Sequence, residues 1–214
     1  MEFSRRRFVA SAIAMGATLG VAGPLAAQTS GREFVLLNPA QPTDDPTKIE
    51  VIEFFSYGCP HCADFNPLLN QWAAKLPADV VLRKVPVTFG RAAWSNIGKL
   101  YYALELTGDL KRLESDVFKA IHKERTNLFD EKSILSWVAA RGVDRQKFAD
   151  AFGSFGVQSK LRRGDQLAAA YKIEGVPALG VDGKFLIGSM GFDQQLAVAD
   201  KLIARARSEK AGKK

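Results

Sequence analysis

A strand pattern with apolar residues on both faces runs directly into the two cysteines of the chain. Residues 49–57 read IEVIEFFSY, and only Glu50 and Glu53 interrupt a run of β-branched and aromatic side chains. This composition is typical of a central strand buried on both faces. Gly58 ends the run, and residues 62–76 then place apolar side chains at helical spacing. The CPHC motif therefore falls at a strand-to-helix junction.

The remaining pattern alternates between strand and helix in a defined order. Residues 79–89 predict a second strand, which completes a β-α-β unit, and the pattern is then helical as far as residue 171. Asp182-Gly183 joins two apolar runs as a hairpin, and an amphipathic helix closes the chain. The predicted helices after the second strand are 94–106, 110–124, 131–140, 145–152, 157–171 and 193–207, and N-cap aspartates are expected at Asp109, Asp130 and Asp144.

This order predicts an α/β protein with a mixed central sheet between helices and one helical insertion. We expect a signal peptide over residues 1–27, one domain formed by residues 28–90 and 172–214, and an inserted helical domain over residues 91–171.

The N-terminus has the pattern of an export signal. Arg5, Arg6 and Arg7 precede an Ala-rich apolar run and the small residues before a cleavage site expected near Ala27. The apolar run is shorter than the roughly 20 residues that span a bilayer. A twin-arginine signal and a general secretory signal both explain it. Both routes end outside the cytoplasm, where disulfides can persist.

Charge and ligand counts exclude several functions. The formal charge is +7, but no basic stripe with interleaved aromatic residues indicates nucleic-acid binding. A structural zinc site normally needs four Cys or His ligands, and beyond Cys59 and Cys62 the chain has only His61 and His122. The His61 ring and both sulfurs could hardly close one tetrahedral site, and His122 is about sixty residues away on a predicted helix. A disulfide across so short a loop contributes little as a clip. We therefore expect no metal and favour thiol–disulfide exchange.

The position of the cysteines supplies a mechanism for that exchange. A helix start stabilises an anion through its free N–H groups and its dipole, so Cys59 should have a lowered pKa. Pro60 suits the first helical turn, and His61 could stabilise the Cys59 thiolate by a hydrogen bond or by charge. Cys62, one turn further along, should be the more buried thiol. A stabilised thiolate is also a good leaving group.

EFFSYGCPHC (residues 53–62) and GVPA (residues 175–178) together resemble the DsbA family of bacterial periplasmic thiol:disulfide interchange proteins, which have a thioredoxin fold with a helical insertion. The resemblance implies a cis peptide bond at Val176-Pro177 in a loop that binds substrate. It also implies that Glu53 is a buried acid that moves protons to and from the inner cysteine. The redox-active Cys59–Cys62 disulfide would be the only cofactor.

The predicted function is a periplasmic oxidase that donates the Cys59–Cys62 disulfide to exported proteins through a mixed disulfide at Cys59. The resemblance implies reoxidation by a quinone-linked membrane partner of the DsbB type, and we expect a monomer. One alternative is an isomerase or reductase on the same fold, although DsbC-type isomerases have an N-terminal dimerisation domain for which we expect no room here. Another is a non-catalytic metal or peptide carrier.

Several side chains carry lesser expectations. Glu50, at the beginning of its strand, should meet solvent, and His122 should be a surface residue. The segment KLRRGD, residues 160–165, is expected to be a solvated helix face. The family has a lysine near the buried acid, and both Arg83 and Lys84 are candidates for that charge partner of Glu53.

Overall fold

The computed structural model describes residues 33–212, which form a five-stranded sheet with helices on both faces. The strands are β1 (Phe34–Leu36), β2 (Ile49–Phe55), β3 (Val80–Pro86), β4 (Ala178–Val181) and β5 (Phe185–Ile187). The helices are α1 (Pro60–Ala73), α2 (Ala92–Thr107), α3 (Leu110–His122), α4 (Glu131–Ala139), α5 (Arg145–Gly153), α6 (Phe155–Ala170) and α7 (Phe192–Ala211).

The sheet is mixed, with strand order β1-β5-β4-β2-β3. Strand β2 runs parallel to β3 and antiparallel to β4, while β4 and β1 both pair antiparallel with β5. All residues of β2 are buried, as its apolar composition predicts. The predicted α/β class with a thioredoxin-type sheet is confirmed. Strand β1 was not predicted, because three residues are too few to show a periodic pattern.

Side chains of β2 alternate between two helical layers. Val51 packs in the cluster of α1 and α7, which also contains Phe65. Ile52 and Phe54 point to the opposite face and pack against Tyr171 at the end of α6. The central strand is therefore covered on both sides, and its end reaches the cysteines without meeting bulk solvent.

Helices α2 to α5 build a hydrophobic cluster of their own that extends to the cysteines. Phe118 and Trp137 are buried in it. The same cluster includes Phe55 at the end of β2, together with Cys59 and Cys62. The helices between β3 and β4 thus pack directly against the dithiol.

Two of the three predicted N-caps are confirmed. The Asp130 carboxylate accepts from the Ser133 N–H at 2.9 Å, and Asp144 caps α5 in the same way. Asp109 precedes α3 but its side chain caps no N–H group of that helix. It binds Arg112 instead, at 2.6 Å, because its own backbone is already near the helical region.

The expectation that residues 160–165 form a solvated face is wrong for Leu161 and Gly164, which are buried, and for Asp165. The Asp165 carboxylate accepts hydrogen bonds from the backbone N–H and the hydroxyl of Thr88, each at 2.7 Å. These contacts attach α6 to the loop that follows β3. A charge run on a helix can therefore include one residue with a structural contact.

The predicted signal peptide, residues 1–27, lies outside the described residues. Between residues 33 and 212, no helix has both the length and the apolar character needed to cross a membrane.

Candidate active site

The strand-to-helix junction places Cys59 at the N-cap of α1, with φ −96° and ψ 119°, and Pro60 in the first turn. The Cys59 thiol donates to the carbonyl oxygen of Val176, at an Sγ–O distance of 3.3 Å. The Val176-Pro177 peptide bond is cis, as expected. The predicted substrate-binding loop therefore lies directly against the outer thiol.

The two cysteines are free thiols with different environments. Cys59 is 7% exposed and Cys62 is fully buried, which confirms the expected order of burial. A hydrogen bond from the Cys62 thiol lowers the pKa of Cys59 to about 6 against the effect of burial, and the backbone N–H groups of Cys62 and His61 contribute. Burial raises the pKa of Cys62 well above its ordinary value, and the hydrogen bond to Cys59 adds to this effect. One thiol is thus a stable thiolate near neutral pH, while the other keeps its proton.

His61 and Pro60 are both exposed in the first turn of α1. No hydrogen bond joins the His61 ring to Cys59 in the part of the chain that the structure describes. The residue acts on the thiolate through its backbone N–H and its charge, both of which lower the pKa of Cys59. Of the two mechanisms expected for the His61 ring, the structure supports charge.

Glu53 is a buried carboxyl group on the β2 face that α1 covers, with 1% of its surface exposed. Burial raises the pKa of Glu53 to about 7, although the nearby Lys84 ammonium opposes the shift. A carboxyl group with a pKa near neutrality can hold or release a proton under the same conditions, which general acid/base catalysis requires.

Lys84, not Arg83, is the charge partner of Glu53. Strands β2 and β3 pair Glu53 directly with Lys84, and the two side chains lie 3.8 Å apart between Nζ and Oε2. Arg83 points to the other face of the sheet, where it approaches Glu50 at 3.6 Å. Strand alternation therefore decides between the two candidates.

The expectation that Glu50 meets solvent is wrong, since only 2% of its surface is exposed. The segment before β2 folds back over it, and the Asp44 N–H donates to its carboxylate at 3.3 Å. Burial raises the pKa of Glu50, whereas the Asp44 hydrogen bond and Arg83 oppose the shift. The position of Glu50 at the beginning of a strand gave no sign that the preceding segment would bury it.

His122 is also not a simple surface residue. Its Nε2 atom lies 2.7 Å from the carbonyl oxygen of Tyr57, and its ring stacks against Phe118. The Tyr57 side chain is buried, and its hydroxyl has no hydrogen-bond partner within residues 33–212. The end of α3 thus holds the backbone two residues before Cys59, a contact with no signal in the local sequence.

A groove of about 650 Å³ runs beside the cis-proline loop. Its lining includes His61, Val176, Pro177, Met190 and Phe192. Val176, which lines this groove, is also the residue whose carbonyl oxygen contacts Cys59 Sγ.

A thioredoxin-type sheet that delivers a CPHC dithiol to a helix start, opposite a cis-proline loop, defines the class of thiol–disulfide oxidoreductases. Comparison with known proteins specifies the family. Residues 50–200 match the DSBA-like thioredoxin domain, and the chain belongs to this family.

Named relatives cover nearly the whole chain. The thiol:disulfide interchange protein DsbA of Bordetella pertussis is 42% identical over 201 residues, 92% of this chain and 95% of the relative. The crystal structure of Pseudomonas aeruginosa DsbA is 38% identical, covers 87% of this chain and 97% of that chain, and has a TM-score of 0.81. A DsbA structure from Xylella fastidiosa, at 28% identity, has a TM-score of 0.78 and covers 82% and 96%.

Proposed function

We propose that the protein is a periplasmic oxidase that donates the Cys59–Cys62 disulfide to exported proteins. The observation that carries the proposal is the difference between the thiols, because a lowered pKa at Cys59 stabilises the reduced form of the couple. A couple whose reduced form is stabilised is oxidising. The same property makes Cys59 a good leaving group when a second client thiolate arrives.

The reaction begins when a client thiolate attacks Cys59 Sγ. The Cys59–Cys62 bond breaks, its electron pair goes to Cys62 Sγ, and a mixed disulfide joins client and Cys59. A second client thiolate then attacks the client sulfur of that mixed disulfide. The client leaves with a new disulfide and both cysteines are reduced. Glu53 gives a proton to the buried Cys62 thiolate, because an unpaired buried anion is costly.

The loop at Val176 and Pro177 binds the client during this exchange. The Val176 carbonyl oxygen lies 3.3 Å from Cys59 Sγ, so it can accept a hydrogen bond from the backbone N–H of a client bound at Cys59. Pro177 has no N–H group, which leaves the Val176 backbone free to pair with the client. The adjoining groove, with its apolar side chains Met190 and Phe192, accommodates the residues next to the client cysteine.

The cycle closes when a quinone-linked membrane partner of the DsbB type reoxidises the dithiol. An N-terminal signal over residues 1–27 brings the protein to the periplasm by the twin-arginine or the general secretory route. We propose that it works there as a monomer.

The equilibrium of the purified protein with reduced and oxidised glutathione tests the oxidase assignment. An oxidase should remain reduced at glutathione ratios that oxidise a structural dithiol, and its reduced form should unfold at higher denaturant concentration than its oxidised form. A more stable oxidised form would contradict the proposal and favour a reductase. Cys62→Ser, in turn, should trap a client–Cys59 mixed disulfide, and Cys59→Ser should not.

A further inference from the structure

We propose that Glu114, on α3, is a positioning residue for proton transfer between Glu53 and Cys62. It binds the Lys84 ammonium group and so keeps it from pairing fully with Glu53. The inference rests on the proposed role of Glu53 in the exchange, and it makes a helix outside the β-α-β unit part of the redox site.

The hydrogen bonds of Lys84 carry the argument. Its Nζ atom lies 2.7 Å from Glu114 Oε1, 2.8 Å from Asn66 Oδ1 and 2.8 Å from Asn70 Oδ1. An ammonium group has three N–H donors, and these acceptors occupy all of them. Glu53 Oε2, at 3.8 Å, is beyond hydrogen-bond distance. Lys84 therefore acts on Glu53 through its charge and not through a hydrogen bond.

Glu114 is the one charged group among those three acceptors. Its side chain is 15% exposed and that of Lys84 is 8% exposed, so solvent screens their interaction little. Strand pairing places Lys84 directly opposite Glu53. Lys84 would therefore pair with the Glu53 carboxylate if its ion pair with Glu114 were lost. Asn66 and Asn70, as neutral amides, compete with a carboxylate less strongly.

Glu53 is surrounded by groups from every element packed against it. Lys84 approaches from β3 and Glu114 from α3, and the other ionisable neighbours among residues 33–212 are Cys59, Cys62, Tyr57 and Tyr101. Lys84 is the only cation of this set. The balance between protonated and ionised Glu53 therefore depends on how Lys84 divides its charge between two carboxylates.

This balance matters in both directions of exchange. When the disulfide opens, the Cys62 sulfur gains the electron pair and takes the Glu53 proton, which solvent then replaces. When it closes, the Cys62 thiol gives its proton to ionised Glu53, and its sulfur attacks Cys59 Sγ of the mixed disulfide. The bond between Cys59 and its partner sulfur breaks, and the partner leaves as a thiolate. Stronger pairing with Lys84 would keep Glu53 ionised, so less of its protonated form would be present to give a proton and its carboxylate would be a weaker base.

The test follows ring closure after the reduced protein reacts with oxidised glutathione. Rapid acid quenching and mass spectrometry give the decay rate of the glutathione–Cys59 adduct between about pH 5 and about pH 9. The wild-type rate should inflect at about pH 7, the pKa of Glu53. Glu114→Gln should move this inflection down by about 1 pH unit. Glu53→Gln should remove it.

Asp116→Asn is the matched control, because it removes the same charge from an exposed position on the same helix. It should leave the inflection in place, and Glu114→Asp should restore most of the wild-type profile. Carbon-13 NMR titration of the Glu53 carboxyl group reports the same shift without turnover. The proposal would be overturned if Glu114→Gln did not move the pH of the inflection, or if Glu114→Gln and Asp116→Asn moved it by the same amount. The glutathione equilibrium tests the oxidase direction separately.

Discussion

Raising the pH should stabilise the reduced protein relative to the oxidised one. The Cys59 thiol has a pKa of about 6 in the folded reduced protein, against an ordinary value of 9.0. A group whose folded pKa is lowered contributes stability that is lost as the pH falls through that folded pKa. The oxidised protein has no Cys59 thiol, whereas the buried Glu53 is common to both forms. The difference between the two forms therefore reports mainly the cysteine, with a smaller opposing contribution because the Cys59 thiolate adds to the raised pKa of Glu53 in the reduced form.

Linkage gives the magnitude of this difference. For a thiol with a pKa of 9.0 unfolded and about 6 folded, the contribution is about 0.1 kcal/mol at pH 5, about 1.4 kcal/mol at pH 7 and about 2.7 kcal/mol at pH 8. Above about pH 8 the raised pKa of Cys62 begins to oppose the trend, because the unfolded chain then ionises more readily. The useful window is about pH 5 to about pH 8.

Guanidinium unfolding of both redox forms at four pH values in this window measures the effect. Between about pH 5 and about pH 8, the free energy of unfolding of the reduced form should rise by about 2 to 3 kcal/mol relative to that of the oxidised form. Cys59→Ser, which cannot form the disulfide, should show no such rise relative to the oxidised wild type, because serine does not ionise in this range. A difference that stays constant with pH, or that falls, would refute the assignment of a stabilised thiolate to Cys59.

Three further predictions concern single side chains. His61→Ala should raise the pKa of Cys59, by less than about 1 unit because the ring is exposed, as measured by thiolate absorbance near 240 nm. Gly180→Ala should lower the free energy of unfolding by about 1 to 3 kcal/mol, since the added Cβ would lie 2.5 Å from Tyr171 Cε1. Asp165→Ala should cost about 1 to 3 kcal/mol in the same denaturation assay, because it leaves the N–H of the buried Thr88 without an acceptor.

Local patterns were sufficient to predict the sheet and the dithiol. Strand β2 was recognised because both of its faces are apolar, and the hairpin between β4 and β5 because Asp182-Gly183 separates two apolar runs. Boundaries were less accurate: β3 ends at Pro86, three residues before the predicted end, because Thr88 leaves the sheet to bind Asp165. Helix α6 begins at Phe155, two residues early, because Ser154 caps it.

Contacts between distant residues could not be predicted. Glu114 reaches Lys84 across thirty positions of sequence. Its spacing from the buried Val117 and Phe118 places it at the apolar side of α3, unlike the exposed Asp116, but this spacing does not identify its partner. Glu50 was predicted to be exposed because the segment before β2, which buries it, has no periodic pattern from which its position could be predicted. Asn66 offered a signal of the same kind as Glu114, since a polar residue on the buried face of an amphipathic helix requires a partner.

The helices between β3 and β4 contact the backbone that leads to Cys59. A Cβ atom on Gly58 would lie 2.9 Å from Trp94 Nε1 of α2 and 3.3 Å from Phe129 Cε1, just before α4. His122, the last residue of α3, binds the Tyr57 carbonyl. Three separate parts of the inserted helices therefore meet the two residues before the N-cap.

These helices exclude water from the inner side of the strand-to-helix junction, and this burial sets the pKa values of the groups that lie there. Burial is the largest cause of the raised pKa of both Cys62 and Glu53. The hydrogen bond from the Cys62 thiol and the backbone N–H groups at the helix start, by contrast, lower the pKa of Cys59. A β-α-β unit alone would supply the helix start but not the dry interior behind it. The separation of the two thiols into an ionised and a protonated one therefore requires both parts of the chain.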